Sequence, residues 1–176
     1  MKIENKNLFE KILNKKKTWL ITGVAGFIGS NFLEVLISNN QTVIGIDNFS
    51  SGKKKNILKF LNNKNFIFIK KNINKLKKKN FENKKIDYVI HLAAMASVSD
   101  SIKYPKKCFQ NNVIGFQNLI SSVSKIKKIK KIIYASSAAV YGDNIKKNNE
   151  NSKLNPLSPY ALSKIYNEDF ARTYSK

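Results

Sequence analysis

Trp19-Leu20-Ile21-Thr22-Gly23-Val24-Ala25-Gly26-Phe27-Ile28-Gly29 reads as a short buried strand, a glycine-spaced turn and the opening of a helix with Phe32, Leu33, Leu36 and Ile37 on one face. Strand, glycine turn and helix in that order form the phosphate-binding corner of parallel α/β sheets. Gly23 can turn tightly, Gly26 leaves room for a diphosphate to approach the backbone, and Gly29 lets the helix pack closely on the strand. The helix N-terminus then offers free N–H groups and a partial positive charge to the phosphates.

Downstream, residues 42–46, 66–69, 86–92 and 132–135 are short β-branched or aromatic runs separated by stretches of helical length. This alternation predicts βαβ units and a doubly wound parallel sheet of five strands. The predicted helices lie over residues 53–61, roughly 75–81, 106–125 and 158–176. Upstream, Leu8, Phe9, Ile12 and Leu13 fall at helical spacing. The chain thus divides into an N-terminal amphipathic helix within residues 1–17 and one α/β domain over 18–176.

The 176 residues are 42% hydrophobic with 11 Phe, 7 Tyr and 1 Trp, enough apolar material for a core. A formal charge of +22 raises nucleic acid as a partner. However, Arg172 is the single arginine among 33 basic residues, and Asn and Ile are inflated alongside Lys. Phosphate and guanine recognition favours the planar Arg fork, so the excess of Lys reads as solvated surface and no nucleic-acid role is expected. One cysteine, Cys108, excludes an internal disulfide. No apolar run reaches a membrane span and no signal-peptide core is present, which points to a cytoplasmic protein without membrane association. His91 has no Cys/His cluster around it, so no metal is expected.

Asp47 ends the second strand 18 residues after Gly29, where a carboxylate can accept hydrogen bonds from the adenosine ribose. An acid there also repels a 2′-phosphate and favours NAD over NADP. Tyr160 and Lys164 stand four apart in a helical stretch, so both lie on one face. An ammonium beside a phenol favours the phenolate and makes Tyr160 a candidate general acid/base. Ser137 follows the fifth strand at the sheet edge where open parallel sheets bind ligands, and its hydroxyl could bridge the Tyr and a substrate hydroxyl.

The Gly-x-x-Gly-x-x-Gly spacing resembles the extended short-chain dehydrogenase/reductase (NAD-dependent epimerase/dehydratase) family. Asp47-Asn48-Phe49-Ser50-Ser51-Gly52 and His91-Leu92-Ala93-Ala94 resemble its segments after strands two and four. Asn111 and Asn112 match its helical Asn pair, the first of which reaches the cofactor in the family. Tyr134-Ala135-Ser136-Ser137-Ala138-Ala139-Val140-Tyr141-Gly142 and Leu157-Ser158-Pro159-Tyr160-Ala161-Leu162-Ser163-Lys164 resemble its catalytic Ser/Thr segment and Tyr-x-x-x-Lys helix. Ala138-Ala139 stands where nucleotide-sugar 4,6-dehydratases carry Asp-Glu, so dehydration lacks its acid and base.

Across nearly all of its length the chain is most similar to bacterial UDP-N-acetylglucosamine 4-epimerases of polysaccharide biosynthesis. The resemblance implies NAD-dependent epimerisation at C4 of a UDP-N-acetylhexosamine, or its uronic acid, through a 4-keto intermediate. It implies a Rossmann-type sheet, catalytic Ser137, Tyr160 and Lys164, and a homodimer built through helices that include the Tyr160 helix. For the cofactor it implies Gly23, Gly26, Phe27, Ile28, Gly29, Asp47, Asn48, Asn72, Ile73, Leu92, Ala93, Ala94 and Asn111, joined by Tyr160 and Lys164. Ser97, Ser137 and Tyr160 would meet the substrate.

Three positions depart from the pattern. Asn72-Ile73 replaces the usual Asp-Ile that holds the adenine amino group, a bond an amide oxygen can still accept. Ala96 stands where some UDP-galactose 4-epimerases carry a cofactor-contacting Lys, and Asp100 where a basic residue is common. The family also runs on well beyond residue 176, into the later strands and most of the UDP-sugar site. The resemblance therefore implies a truncated sheet, as a fragment or split gene or with a separate chain completing it. Two alternatives stand beside the epimerase: another extended-family nucleotide-sugar oxidoreductase or decarboxylase, and a catalytically silent NAD-binding module.

Overall fold

A computed structural model describes residues 11–81, 84–124, 126, 129–144 and 147–174, the side chain of Lys78 apart. The apolar runs become five parallel strands, β1 Thr18–Thr22, β2 Thr42–Asp47, β3 Phe66–Lys70, β4 Tyr88–His91 and β5 Lys131–Tyr134. They lie side by side in the order β3-β2-β1-β4-β5. Leu20 pairs in register with Ile44 and Val89, and Thr22 with Ile46 and His91. The first glycine turn and the loop after β4 therefore emerge side by side at one edge.

Central strands of a parallel sheet are covered on both faces and read as unbroken apolar runs. Here Trp19, Ile21, Val43 and Ile90 pack on one face with Leu33 and Leu36 of α1 (Phe27–Ser38). Leu20, Ile44, Ile46 and Val89 pack on the other with Leu119 and Val123 of α4 (Gly115–Val123). Burying one such aliphatic side chain stabilises by about 1.5–3 kcal/mol, so this two-sided core dominates the folding energy.

The expected N-terminal helix begins outside the described residues; residues 11–13 are helical, and Ile12 and Leu13 pack on the first core face. Residues 53–61 form two 3₁₀ turns, Lys54–Asn56 and Leu58–Phe60, in place of the expected helix. Lys53 N and Asn56 Nδ2 both donate to Ala25 O, at 3.0 and 2.8 Å, which draws this segment onto the glycine turn. Residues 75–81 likewise hold the end of the 3₁₀ turn Ile73–Lys75 and the turn Lys78–Asn80, where Asn80 Oδ1 accepts from Lys77 N.

The expected helix over 106–125 is split into α3 Pro105–Phe109, a π-turn Gln110–Ile114 and α4; its last residue lies outside the described ones. A further helix, α2 Val98–Lys103, lies outside the four predicted helices, with Ser97 Oγ accepting from Asp100 N as its cap. The last helix is α5 Pro159–Tyr174. Among the described residues no helix is long and apolar enough to cross a membrane.

β5 is an edge strand, with Ile133 exposed. Beside it runs a groove of about 940 Å³ whose walls include Ile120, Ile129, Ile132, Tyr134, Glu168 and Tyr174.

Candidate functional site

A second, smaller cleft of about 320 Å³ opens at the carboxyl ends of the strands. Gly23 and Gly26 line it from the turn after β1, Asp47 and Asn48 from β2, Asn72 and Ile73 from the loop after β3. Leu92, Ala93, Ala94 and Ser97 close it after β4, with Asn111 from the π-turn. Residues from four strand ends and one helix thus converge, although the groove along β5 is larger. We take the cleft as the site because its polar groups converge at the ligand-binding edge of the sheet.

The three glycines have separate physical reasons. Gly23 has φ +73°, and a Cβ on it would stand 2.7 Å from Ala93 N, so the turn lies directly against the loop after β4. A Cβ on Gly29 would strike Gly23 O and come within 2.8 Å of Val24 Cα, so α1 seats on the turn. Gly26 differs: its φ is an ordinary −73°, and an added Cβ would meet only Gly23 O at 3.2 Å. Its missing side chain serves the cleft, not the packing.

Gly26 caps α1 without any side-chain hydrogen bond, and no acid stands in the first turn. The first-turn N–H groups are therefore left for an anion, and the cradle fits a diphosphate. Asp47 is 8% exposed; its Oδ2 accepts from Ala25 N at 2.9 Å and its Oδ1 from Phe49 N at 2.7 Å. The carboxylate is tied to the glycine turn while its edge faces the cleft. Phe27 and Ile28 point outward from α1, exposed, and neither they nor Gly29 lines the cleft.

Lys164 is buried on α5, and its Nζ donates to Ala135 O at 2.8 Å and lies 5.7 Å from the centroid of the Tyr160 ring. Burial pulls its pKa below the usual lysine value. Ser137 follows β5 and caps the next turn, its Oγ accepting from Ala139 N at 3.2 Å. The sequence expectation of a Tyr–Lys pair on one face is met in space. Ser137, Tyr160 and Lys164 nevertheless stand outside the walls of the cleft, which reaches Ala96 and Ser97 on that side.

Ser50 and Ser51 of the segment after β2, together with Ala96 and Asp100, line the cleft as well; Lys71, Met95 and Lys107 join them without belonging to any motif. Asn112 is buried; its Oδ1 accepts from Met95 N at 2.8 Å, and its Nδ2 donates to Met95 O at 3.1 Å and Ser163 Oγ at 3.0 Å. It joins the loop after β4 to the helix of Tyr160. His91 is also buried, with Nδ1 2.7 Å from Thr22 Oγ1. Desolvation, aided by the nearby Lys164 cation, pushes its pKa down to about 3, so it is neutral at physiological pH. It ties β4 to β1 beneath the glycine turn.

Residues 20–176 match a family model described as GDP-mannose 4,6 dehydratase. A putative UDP-glucose 4-epimerase of Methanocaldococcus jannaschii is 40% identical over 162 residues, which cover 89% of this chain and 50% of that protein. The UDP-Glc/GlcNAc 4-epimerase of Campylobacter jejuni superposes with a TM-score of 0.84 at 32% identity, over 90% of this chain and 49% of that one. The UDP-glucuronic acid 4-epimerase of Bacillus cereus, solved with UDP-glucuronic acid and NAD, gives 0.82 at 33% identity, over 89% and 52%. The chain spans about half the length of the relatives it matches. With its parallel sheet, glycine turn and Tyr–Lys helix, the chain belongs to the GDP-mannose 4,6 dehydratase family of extended short-chain dehydrogenase/reductases.

Proposed function

We propose that this chain is the NAD-binding part of a nucleotide-sugar 4-epimerase. The observation that carries the reading is the buried Lys164 ammonium held 5.7 Å from the Tyr160 ring, at the same sheet edge as the diphosphate cradle. The first-turn N–H groups of α1 and the space at Gly26 would hold the diphosphate, Asp47 the adenosine ribose, and Lys164 the nicotinamide ribose. NAD, when bound, supplies reversible hydride exchange at C4 of the sugar. Tyr160 takes the proton of the 4-hydroxyl and later returns it, and Ser137 orients the hydroxyl.

Ala138-Ala139 offers neither acid nor base for dehydration, which supports epimerisation despite the description of the family model. The named relatives act on UDP-sugars, which supports the same class here; we propose a UDP-N-acetylhexosamine or its uronic acid, for polysaccharide precursors. Phe109, Leu162 and Tyr166 are exposed on α3 and α5, which supports a homodimer through these helices. A cleft that stops short of Ser137 and Tyr160 favours a second reading, an NAD-binding module that turns over only with further strands supplied. The test is epimerisation of UDP-sugars by wild type and Tyr160→Phe. Equal rates would remove the role of Tyr160, and NAD retention without turnover would select the second reading.

A further inference from the structure

Where α5 packs on the π-turn Gln110–Ile114, the buried polar atoms do not balance residue by residue. Asn167 on α5 is 2% exposed, and its Nδ2 donates to Asn112 O at 3.1 Å. A main-chain carbonyl only accepts, so the amide is fixed with its oxygen turned the other way. That oxygen, Oδ1, is buried without a hydrogen-bond partner among the described residues. Leaving a buried acceptor unpaired is costly, and folded chains bring a donor to nearly every one.

Asn112 and Ser163, the neighbouring polar side chains, have no hydrogen to spare. The two on Asn112 Nδ2 go to Met95 O and Ser163 Oγ, and the one on Ser163 Oγ goes to Tyr160 O. Lys164 has a surplus. It is 4% exposed, carries three N–H groups as an ammonium, and donates to one acceptor, Ala135 O. Residues three apart on a helix share a face, and the later side chain leans back over the earlier one. Lys164 and Asn167 are three apart on α5, a surplus donor and a surplus acceptor in the same buried layer.

Charge makes this match matter. The titratable groups that face Lys164 are Cys108 on α3 and His91 on β4, beside Tyr160 on its own helix. Asp100 and Lys103 on α2 and Lys106 and Lys107 on α3 are exposed to solvent, and the π-turn carries no titratable side chain. His91 is neutral, and burial pushes the Cys108 thiol up, so neither offers a negative charge at neutral pH. Neutral oxygens must hold the ammonium.

We propose that Asn167 is a positioning residue for Lys164: through one ordered water its Oδ1 takes a second hydrogen of the ammonium, so that Ala135 O and Asn167 together fix the group. The third hydrogen is then left for the nicotinamide ribose. That last step rests on the dinucleotide reading above; the hold of Asn167 on Lys164 does not.

The test is the titration of Lys164 in the nucleotide-free chain, followed by NMR of protein labelled with carbon-13 lysine, the resonance being assigned by its loss in Lys164→Met. Asn167→Leu removes the acceptor and should lower the midpoint by about one pH unit. Asn167→Asp keeps an oxygen and adds a charge, and should raise the midpoint by about as much. Both variants lose the bond from Nδ2 to Asn112 O, so a merely structural role would move the two midpoints alike or not at all. An unchanged midpoint or a shift of the wrong sign in either variant would overturn the proposal, and each variant decides by itself if the other fails to fold. Because no dinucleotide is present, failure of the cofactor reading, seen as absent NAD⁺ binding by wild type, is a separate result.

Discussion

Asn112 Nδ2 lies 3.0 Å from Ser163 Oγ, and this contact joins the π-turn under the cleft to the helix that carries Tyr160 and Lys164. Ser163 Oγ in turn donates to Tyr160 O at 2.7 Å. A π-turn inserts an extra residue into the helical ladder and leaves a main-chain carbonyl to bond elsewhere. Here Asn112 O accepts from Asn167 Nδ2 at 3.1 Å. Two amides thus hold the helix of the Tyr–Lys pair against the loop after β4.

Removing the Asn112 amide leaves several polar groups short of a partner at once. Asn112→Ala should destabilise the chain by about 2 kcal/mol, because the half-buried Met95 N and O lose their partner and the buried Ser163 Oγ keeps only its bond to Tyr160 O. Denaturant unfolding measures the loss. A change below the usual surface-mutation scatter would show that water replaces the amide without cost.

The two later glycines of the turn should fail in different ways. Gly29→Ala forces a methyl against Gly23 O and Val24 Cα and should cost about 1–3 kcal/mol of stability. Gly26→Ala meets only one atom, at 3.2 Å, and should leave stability nearly unchanged. It should weaken NAD⁺ binding by roughly tenfold or more, as one methyl in a fitted site does. Thermal unfolding and NAD⁺ titration of both variants separate the effects.

His91 gives a signature in acid. Its folded pKa of about 3 lies below the ordinary 6.5, so between those values the unfolded chain binds the proton more readily. The contribution is constant above pH 6.5, and stability falls as pH drops towards 3, at about 1.4 kcal/mol per pH unit. His91→Gln removes this titration. Unfolding free energies measured across the window should fall less steeply in the variant; parallel curves would place the proton elsewhere.

Ile133 is 47% exposed on β5, whose outer edge has no strand beside it among the described residues. Such an edge invites pairing with another chain. Ile133→Lys should lower concentration-dependent light scattering while changing stability by only about 0.5 kcal/mol. Unaltered scattering would exclude this edge as the site of association.

How far the site was legible depends on the range of the interactions that build it. The strand–turn–helix unit at residues 18–38 follows from neighbours in the chain: apolar runs, glycine spacing and helical periodicity. Tyr160 and Lys164 could be paired from sequence because four residues make one helical turn. By contrast, the segment over 53–61 carries a helical pattern, yet its Lys53 N and Asn56 Nδ2 bond to Ala25 and break it into 3₁₀ turns. The π-turn and the link from Asn112 to Ser163, 51 residues apart, have no local signal at all.

By itself the sequence settled the alternation of strands and helices and the glycine turn, since backbone sterics and side-chain periodicity act over a few residues. Folding alone decided that Asp47 binds the turn after β1, that Asn72 Oδ1 accepts from Asn74 N on the cleft wall, and that the cleft and the Tyr–Lys pair stand at neighbouring but separate places along one sheet edge. Each of these depends on which buried donor meets which acceptor. That choice is made by the path of the whole chain, because a polar group taken from water must find its partner wherever the packed elements bring one.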